Sequence, residues 1–165
     1  MSNNEKIYLN VGCGDMILEG YTNIDLYSEH ADVKADAMHL PYNDSSVDLI
    51  LNSHIIEHFD FKTGFDLLKE WYRVLRTGGV LVTECPNLLA LCRLFVDANE
   101  EERITMYPQF FGSPYLPGHL HKFVYTPNQL HWTLSQTGFI NIQQVEPMFY
   151  PNIKDRCMRF VCNKG

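Results

Sequence analysis

The sequence predicts an α/β fold in which a mostly parallel β-sheet binds a ligand at the carboxyl ends of its strands. Short apolar segments alternate with helical segments along the chain, which is the pattern of a parallel sheet connected by helices. One apolar segment, residues 7–11, leads into a Gly-x-Gly turn at residues 12–14, where missing Cβ atoms let a ligand reach backbone N–H groups. Asp25 ends the next apolar segment and can accept two hydrogen bonds from a ribose diol, as in dinucleotide folds.

The first half of the chain is predicted to contain five strands and the clearest helix. Residues 62–76 place large apolar side chains on one stripe at helical spacing, and the pair Gly78-Gly79 is expected to end this helix. Each predicted strand is a short apolar segment bounded by turn residues. The predicted strands are residues 7–11, 22–26, 32–35, 47–52 and 80–85.

The second half is predicted to contain two more helices, the first over residues 88–98. The next begins at Thr126, which caps it, with Pro127 at the first helical position and Gln129 completing a capping box. This helix is expected to stop at Gly138. Strand character returns in the tail, at residues 141–146 and 157–163.

Residues 104–125 form the least regular segment of the sequence. Prolines and glycines interrupt this segment, whereas its high aromatic content argues against disorder. A long loop of this kind inside a compact domain is usually a lid or a binding loop. We therefore expect a cover on the acceptor side of a substrate site, or a loop that packs its rings onto the core, and the two roles are compatible.

The connection between the first two strands is unusually short. Only eleven residues, 12–22, are available for it, whereas a parallel crossover usually takes a dozen or more residues and a helix. We therefore expect the first crossover helix to be reduced to a turn or two. A dinucleotide dehydrogenase is disfavoured, because it needs a full helix beneath the pyrophosphate.

Composition predicts one compact domain and excludes several functional classes. The chain has 165 residues, which suffice for a single core. Its net charge of −7 and the lack of any Lys/Arg run longer than two disfavour nucleic acid as the substrate. Five cysteines without a Cys-x-x-Cys spacing are expected to be reduced thiols in a cytoplasmic protein. No apolar run approaches the roughly 20 residues that a membrane span requires.

Five segments of the first 85 residues resemble the class I S-adenosylmethionine-dependent methyltransferases, in particular the methyltransferase type 11 group. The resemblance implies a Rossmann-like, seven-stranded, mostly parallel sheet with helices on both faces and a C-terminal antiparallel hairpin. It also implies one methyltransferase domain over residues 1–165, with the cofactor-binding half at 1–85. S-adenosyl-L-methionine is the implied cofactor and S-adenosylhomocysteine the product. The matching segments are Leu9–Asp15, Asn23–Leu26, Asp36–Tyr42, Val47–Phe59 and Glu70–Val82.

The cofactor residues are expected at the ends of the first, second, third and fourth strands, where open α/β sheets bind ligands. The fourth strand ends beside the position expected for the sulfonium. The expected contacts are Gly12 and Gly14 with the methionine portion, Asp15 with its amino group, Asp25 with the ribose, Asp36 and Ala37 with the adenine, Leu26 and Met38 on its two faces, and Ser53 and His54 along the remaining wall.

Histidines are the candidate bases, because imidazole titrates near neutral pH. A sulfonium is already an excellent leaving group, so the protein mainly aligns the acceptor and removes a proton from a hydroxyl. His121 is the preferred base, and His54 is a second candidate that we rather expect to form the cofactor wall. His58 and His119 are further candidates. No metal is expected, because Glu57 is taken to point away from the histidines and no third ligand is evident.

The sequence therefore predicts methyl transfer to a small-molecule, sugar-like or lipid-like acceptor. The alternative is a catalytically silent cofactor-binding subunit that activates a partner. A weaker alternative is another nucleotide-dependent enzyme. Neither the acceptor nor the methylated atom follows from these residues.

Overall fold

The computed structural model describes residues 5–165, which form a seven-stranded sheet in the order β3-β2-β1-β4-β5-β7-β6. The first five strands pair in parallel, and β7 runs antiparallel to both β5 and β6. The predicted mostly parallel sheet with a C-terminal antiparallel hairpin is therefore confirmed. The strands are β1 (Tyr8–Val11), β2 (Thr22–Asp25), β3 (Val33–Lys34), β4 (Val47–Ser53), β5 (Leu75–Pro86), β6 (Phe139–Val145) and β7 (Cys157–Lys164).

The first crossover helix, expected to be reduced to a turn or two, is absent: within the described chain, residues 12–21 are turns and irregular backbone. Two buried asparagines stabilise this connection. Asn10 Nδ2 donates to Met16 O at 2.7 Å and to Asn23 Oδ1 at 3.0 Å. Asn23 Oδ1 also accepts from Leu18 N at 2.9 Å. These bonds satisfy polar groups that a helix would otherwise have paired, so the crossover stays ordered without one.

Helix α1 (Phe61–Val74) follows β4 and packs its apolar stripe into the core. Asp60 caps it by accepting from Thr63 N at 3.0 Å. The expected end at Gly78-Gly79 is wrong, because Leu75 already pairs with Val47 and begins β5. Strand pairing thus overrides the glycine signal. The buried residues of α1 are Gly64, Leu67, Leu68, Trp71 and Val74.

About a third of the segment predicted to be irregular, residues 104–111, is helical. Helix α2 (Leu88–Asp97) is confirmed, and α3 (Glu100–Phe111) follows it directly. A capping box starts α3: Asn99 Oδ1 accepts from Glu102 N, and Glu102 Oε2 accepts from Asn99 N. This cap is sufficient for a helix that continues through Pro108. The irregular part is therefore only residues 112–126, which we call the lid segment.

Helix α4 (Pro127–Thr137) begins as predicted, with Thr126 Oγ1 accepting from Gln129 N at 3.3 Å. The reciprocal bond from the Gln129 side chain is not formed within residues 5–165. Gly138 ends the helix with φ +108°, a left-handed conformation that glycine adopts without strain. Of the helices in the described chain, none is long and apolar enough to cross a membrane.

Candidate functional site

The glycine turn after β1 opens toward the carboxyl edge of the sheet. Gly12 and Gly14 both have positive φ, at +69° and +50°. A Cβ on Gly12 would overlap the Ile55 side chain, so that glycine is required by packing. A Cβ on Gly14 would meet no atom of the described chain within 4 Å. The space beside Gly14 is therefore open to a ligand, as expected for the methionine portion of the cofactor.

The Asp25 carboxylate joins this turn to the end of β2. It accepts backbone hydrogen bonds from Gly14 at 2.9 Å, Tyr27 at 2.7 Å and Ser28 at 2.9 Å. Partial burial raises the pKa of Asp25, but the three N–H donors outweigh this and hold it below its ordinary value. The carboxylate is therefore ionised at neutral pH. It retains lone pairs for further donors, which fits the predicted ribose contact.

An apolar surface lies next to this carboxylate. The Leu26 side chain is 48% exposed and the Tyr27 side chain 58% exposed, which is unusual for residues directly after a buried strand. Met38 is half-buried, and its N–H donates to the exposed Asp36 carboxylate at 2.9 Å. Exposed apolar side chains beside an ionised carboxylate suit an adenosine, whose ring faces stack on apolar groups and whose ribose hydroxyls donate hydrogen bonds. The individual contacts of Leu26, Asp36 and Met38, and those of Asp15 and Ala37, stay predictions.

Ser53 and His54 lie at the end of β4, as predicted for the wall of the site. Ser53 Oγ is buried and has no hydrogen-bond partner among residues 5–165. Such an atom is costly unless a ligand or water satisfies it. His54 has φ +58°, and its N–H donates to Glu84 O at 2.7 Å. The strained backbone turns the chain from the strand into a 3-10 turn over Ile56–His58.

His54 is held by two neighbours. Its Nδ1 lies 2.9 Å from Glu57 Oε1, and its Nε2 lies 3.6 Å from Cys157 Sγ. Burial lowers the pKa of His54, but the Glu57 charge and the Cys157 contact raise it to about 10. At neutral pH its ring is therefore an imidazolium without a free lone pair. This favours the wall role expected for His54 and argues against the tentative role of general base.

Glu57 also belongs to a cluster with His58 and His121. Each of the three offers a potential ligand atom, and these atoms all lie within 4.8 Å of one another. The expectation that Glu57 points away from the histidines is therefore wrong. Sequence analysis missed this carboxylate because the only signal is its position beside His58 in the segment that follows β4.

Backbone hydrogen bonds bring His121 to this cluster. Glu57 O accepts from Lys122 N at 2.8 Å and from Phe123 N at 3.2 Å, which fixes the end of the lid segment against the 3-10 turn. The rings of His58 and His121 meet edge to face, with centroids 4.9 Å apart. His119 lies nearby, 5.7 Å from His58 between ring centroids.

The two cluster histidines each use Nδ1 for a backbone carbonyl. His121 Nδ1 lies 3.0 Å from Gln109 O, and His58 Nδ1 lies 3.2 Å from Leu120 O. A carbonyl only accepts, so Nδ1 carries a hydrogen in both rings, and Nε2 is the nitrogen that can offer a lone pair when the ring is neutral. Burial lowers the pKa of His121 despite the opposing effect of Glu57. His121 is therefore neutral at pH 7, as its predicted role requires.

The lid segment extends from this cluster to Tyr27, two residues after Asp25. Gly112, at its start, pairs with Leu120 in an isolated antiparallel bridge. Gly118 lies against the Tyr27 ring, so closely that a Cβ there would be 2.8 Å from Tyr27 Cε2. Tyr115 is 91% exposed at the tip. The segment thus contacts the residues after both β2 and β4, as a cover on this edge should.

Comparisons with known proteins agree with this geometry. Residues 17–83 match the family model of a methyltransferase domain. No curated protein matches the sequence. Among solved structures, an S-adenosylmethionine-dependent methyltransferase from Archaeoglobus fulgidus is similar at TM-score 0.63 and 17% identity, over 96% of this chain and 86% of that chain.

Two further solved structures share the fold. A methyltransferase from Methanosarcina mazei has TM-score 0.65 and 18% identity, over 97% of this chain and 93% of that chain. Phosphoethanolamine N-methyltransferase 2 from Haemonchus contortus, in complex with S-adenosyl-L-methionine, has TM-score 0.59 and 14% identity, over 96% of this chain and 48% of that chain. The chain thus contains a match to a methyltransferase domain and has the fold of S-adenosylmethionine-dependent methyltransferases.

Proposed function

We propose that this protein binds S-adenosyl-L-methionine and transfers its methyl group to a small-molecule, sugar-like or lipid-like acceptor. The ionised Asp25 carboxylate carries this proposal, because it joins the glycine turn to the end of β2 at the edge where the ligand is expected. The bound cofactor supplies an activated methyl group on a sulfonium. The protein binds, aligns and covers the reactants.

Three features of the chain support the cofactor assignment. The open space beside Gly14 admits a ligand, and the exposed Leu26 side chain offers an apolar surface. The unpaired Ser53 Oγ, at the end of β4, supplies a buried polar atom that a ligand would satisfy. These features fit a cofactor that combines an amino acid, a ribose and an adenine ring. The expected product is S-adenosylhomocysteine.

The acceptor is proposed to bind between the lid segment and the cluster of Glu57, His58 and His121. For a hydroxyl acceptor, removal of the proton is proposed to depend on His121, whose Nε2 lone pair is free and whose ring is neutral. His54 stays charged beside Glu57 and forms part of the wall. The lid segment covers the bound acceptor.

A catalytically silent partner subunit is the less favoured alternative. Such a subunit needs the cofactor edge but no acceptor site. This chain keeps a buried carboxylate, at 1% exposure, in a cluster with His58 and His121 on the proposed acceptor side. A silent subunit would have no need of a carboxylate and two histidines gathered in this place.

Methyl transfer can be measured directly. The protein is incubated with S-adenosylmethionine that carries an isotopic label in its methyl group and with hydroxyl, amine, sugar and lipid-headgroup acceptors. Mass spectrometry is expected to find the label in one acceptor class, with one S-adenosylhomocysteine formed per methyl transferred. Asp97→Ala, which alters an exposed residue at the end of α2, should retain this turnover. Cofactor binding without transfer to any acceptor would favour the silent-subunit alternative.

A further inference from the structure

We propose that Glu57, His58 and His121 form a binding site for one divalent transition-metal ion, of the Zn²⁺ class, and that the ion binds the acceptor oxygen. Two imidazoles and one carboxylate are a common ligand set for such ions, and they leave at least one position open. The evidence for the metal site is the set of contacts that these three residues make within the chain. Its role toward the acceptor rests on the proposed methyl transfer.

The Glu57 carboxylate gives the first argument. Its side chain is 1% exposed, and neither oxygen makes an aligned hydrogen bond within the described chain. Oε1 faces His54 Nδ1 at 2.9 Å, which leaves Oε2 without any partner in residues 5–165. A buried carboxylate oxygen in this state is costly, and a metal ion is one of the few partners that offsets the cost.

The histidine tautomers give the second, independent argument. Histidines that bind a metal usually donate their other ring N–H to a carbonyl or a carboxylate, which fixes the ring and directs the lone pair to the ion. His58 and His121 both have this arrangement, with Nδ1 on the carbonyls of Leu120 and Gln109. In the proposed site His58, His121 and Glu57 supply the inner shell, and the two carbonyls on Nδ1 supply the outer shell.

The distances suit an ion after a small adjustment. Ligand atoms of the three residues lie within 4.8 Å of one another. In a tetrahedral site with bonds of about 2.0–2.1 Å, ligand atoms are about 3.3 Å apart. Side-chain rotation about Cα–Cβ and Cβ–Cγ would have to close the remaining gap of at most about 1.5 Å. The ion would then tie the lid segment to the turn after β4.

When the ion is bound, the acceptor oxygen would lose its proton because of the ion, and His121 would contribute by holding the ion. A hydroxyl bound to a divalent ion is much more acidic than a free one, so it can lose its proton to solvent at neutral pH. The oxygen lone pair then forms a bond to the methyl carbon, while the C–S bond breaks and its electron pair stays on sulfur. In the loaded protein His121 therefore acts as a ligand, since one Nε2 lone pair cannot also accept the proton.

Metal binding is tested first, without the cofactor. Untagged, chelator-treated protein is titrated with Zn²⁺ by calorimetry and with Co²⁺ by visible absorption. Cys92 is exposed, so every protein tested, including the reference called wild type below, carries Cys92→Ser to keep its thiol from binding the metal. We expect one ion per chain. Loss of an outer-shell partner typically weakens metal binding by about 10–100-fold. Glu57→Gln and His121→Gln each remove a direct ligand, so each should weaken binding by at least that factor. His30→Gln, at an exposed histidine, should leave it unchanged.

The outcomes are separable. His121→Gln alters a half-buried side chain, so it keeps the test valid if Glu57→Gln fails to fold. Absence of stoichiometric Zn²⁺ or Co²⁺ binding, or equal affinity in wild type and His121→Gln, overturns the metal site. Turnover that survives complete metal removal overturns the role toward the acceptor. Failure to bind S-adenosylhomocysteine, with metal binding intact, overturns the proposed function and leaves the metal site standing.

Discussion

Replacing Asp25 with alanine should weaken cofactor binding more than any other single change at the edge of the sheet. The carboxylate is ionised, so each ribose hydroxyl that donates to it forms a charge-assisted hydrogen bond. Loss of a hydrogen bond to a charged group costs about 1.5–3 kcal/mol, which is on the order of 10–150-fold in affinity. The same substitution frees the Gly14 N–H that Asp25 accepts at 2.9 Å, so the turn also loses an anchor.

Calorimetric titration with S-adenosylhomocysteine measures this loss. Asp25→Ala is compared with wild type and with Asp97→Ala, which removes an exposed carboxylate at the end of α2. Thermal unfolding establishes that each variant is folded. Undiminished affinity in a folded Asp25→Ala variant would refute the assignment of Asp25 to the ribose.

Three further predictions concern the site. His54 has a folded pKa of about 10 against an ordinary 6.5, so the stability from its pair with Glu57 is complete below pH 6.5 and declines as pH rises toward 10. Urea unfolding with chelator present should show this decline in wild type, and an equal decline in His54→Gln would contradict it. Gly12→Ala should reduce the folded signal in circular dichroism, because its Cβ would overlap the Ile55 side chain. Gly14→Ala should fold and bind S-adenosylhomocysteine more weakly. Equal stability of the two variants would contradict the packing argument. Hydrogen exchange should show protection of residues 112–126 rising when cofactor and acceptor bind, with residues 61–74 unchanged, and equal protection in both states would favour a purely structural loop.

The sheet was predictable from the sequence because its strands are short apolar segments and because a glycine turn and an acid follow the first two. Two boundaries were not. Helix α1 ends at Val74 since the next residue pairs with β4, a contact between distant segments that local glycine signals do not encode. Helix α3 was hidden because Pro108 and the surrounding aromatic residues suggested a loop, although Asn99 and Glu102 formed a readable capping box.

The candidate site divides in the same way. Residues of the glycine turn and Asp25 belong to local strand-end patterns, so sequence spacing was sufficient to predict their position. The cluster of Glu57 with His121 could not be predicted, because 64 residues separate the two in the sequence. Backbone hydrogen bonds from Lys122 and Phe123 to Glu57 O bring Glu57 and His121 together. A pattern of apolar and polar residues does not predict hydrogen bonds between such distant segments.

A crystal structure of the protein with S-adenosylhomocysteine tests the central claim most directly. We predict one molecule per chain at the carboxyl edge, with its ribose hydroxyls within hydrogen-bond distance of Asp25 and its amino-acid portion beside Gly14. The adenine should lie against Leu26, and the thioether sulfur should face the acceptor side near His121. Density for the ligand at another surface, or a ribose without contact to Asp25, would contradict the account.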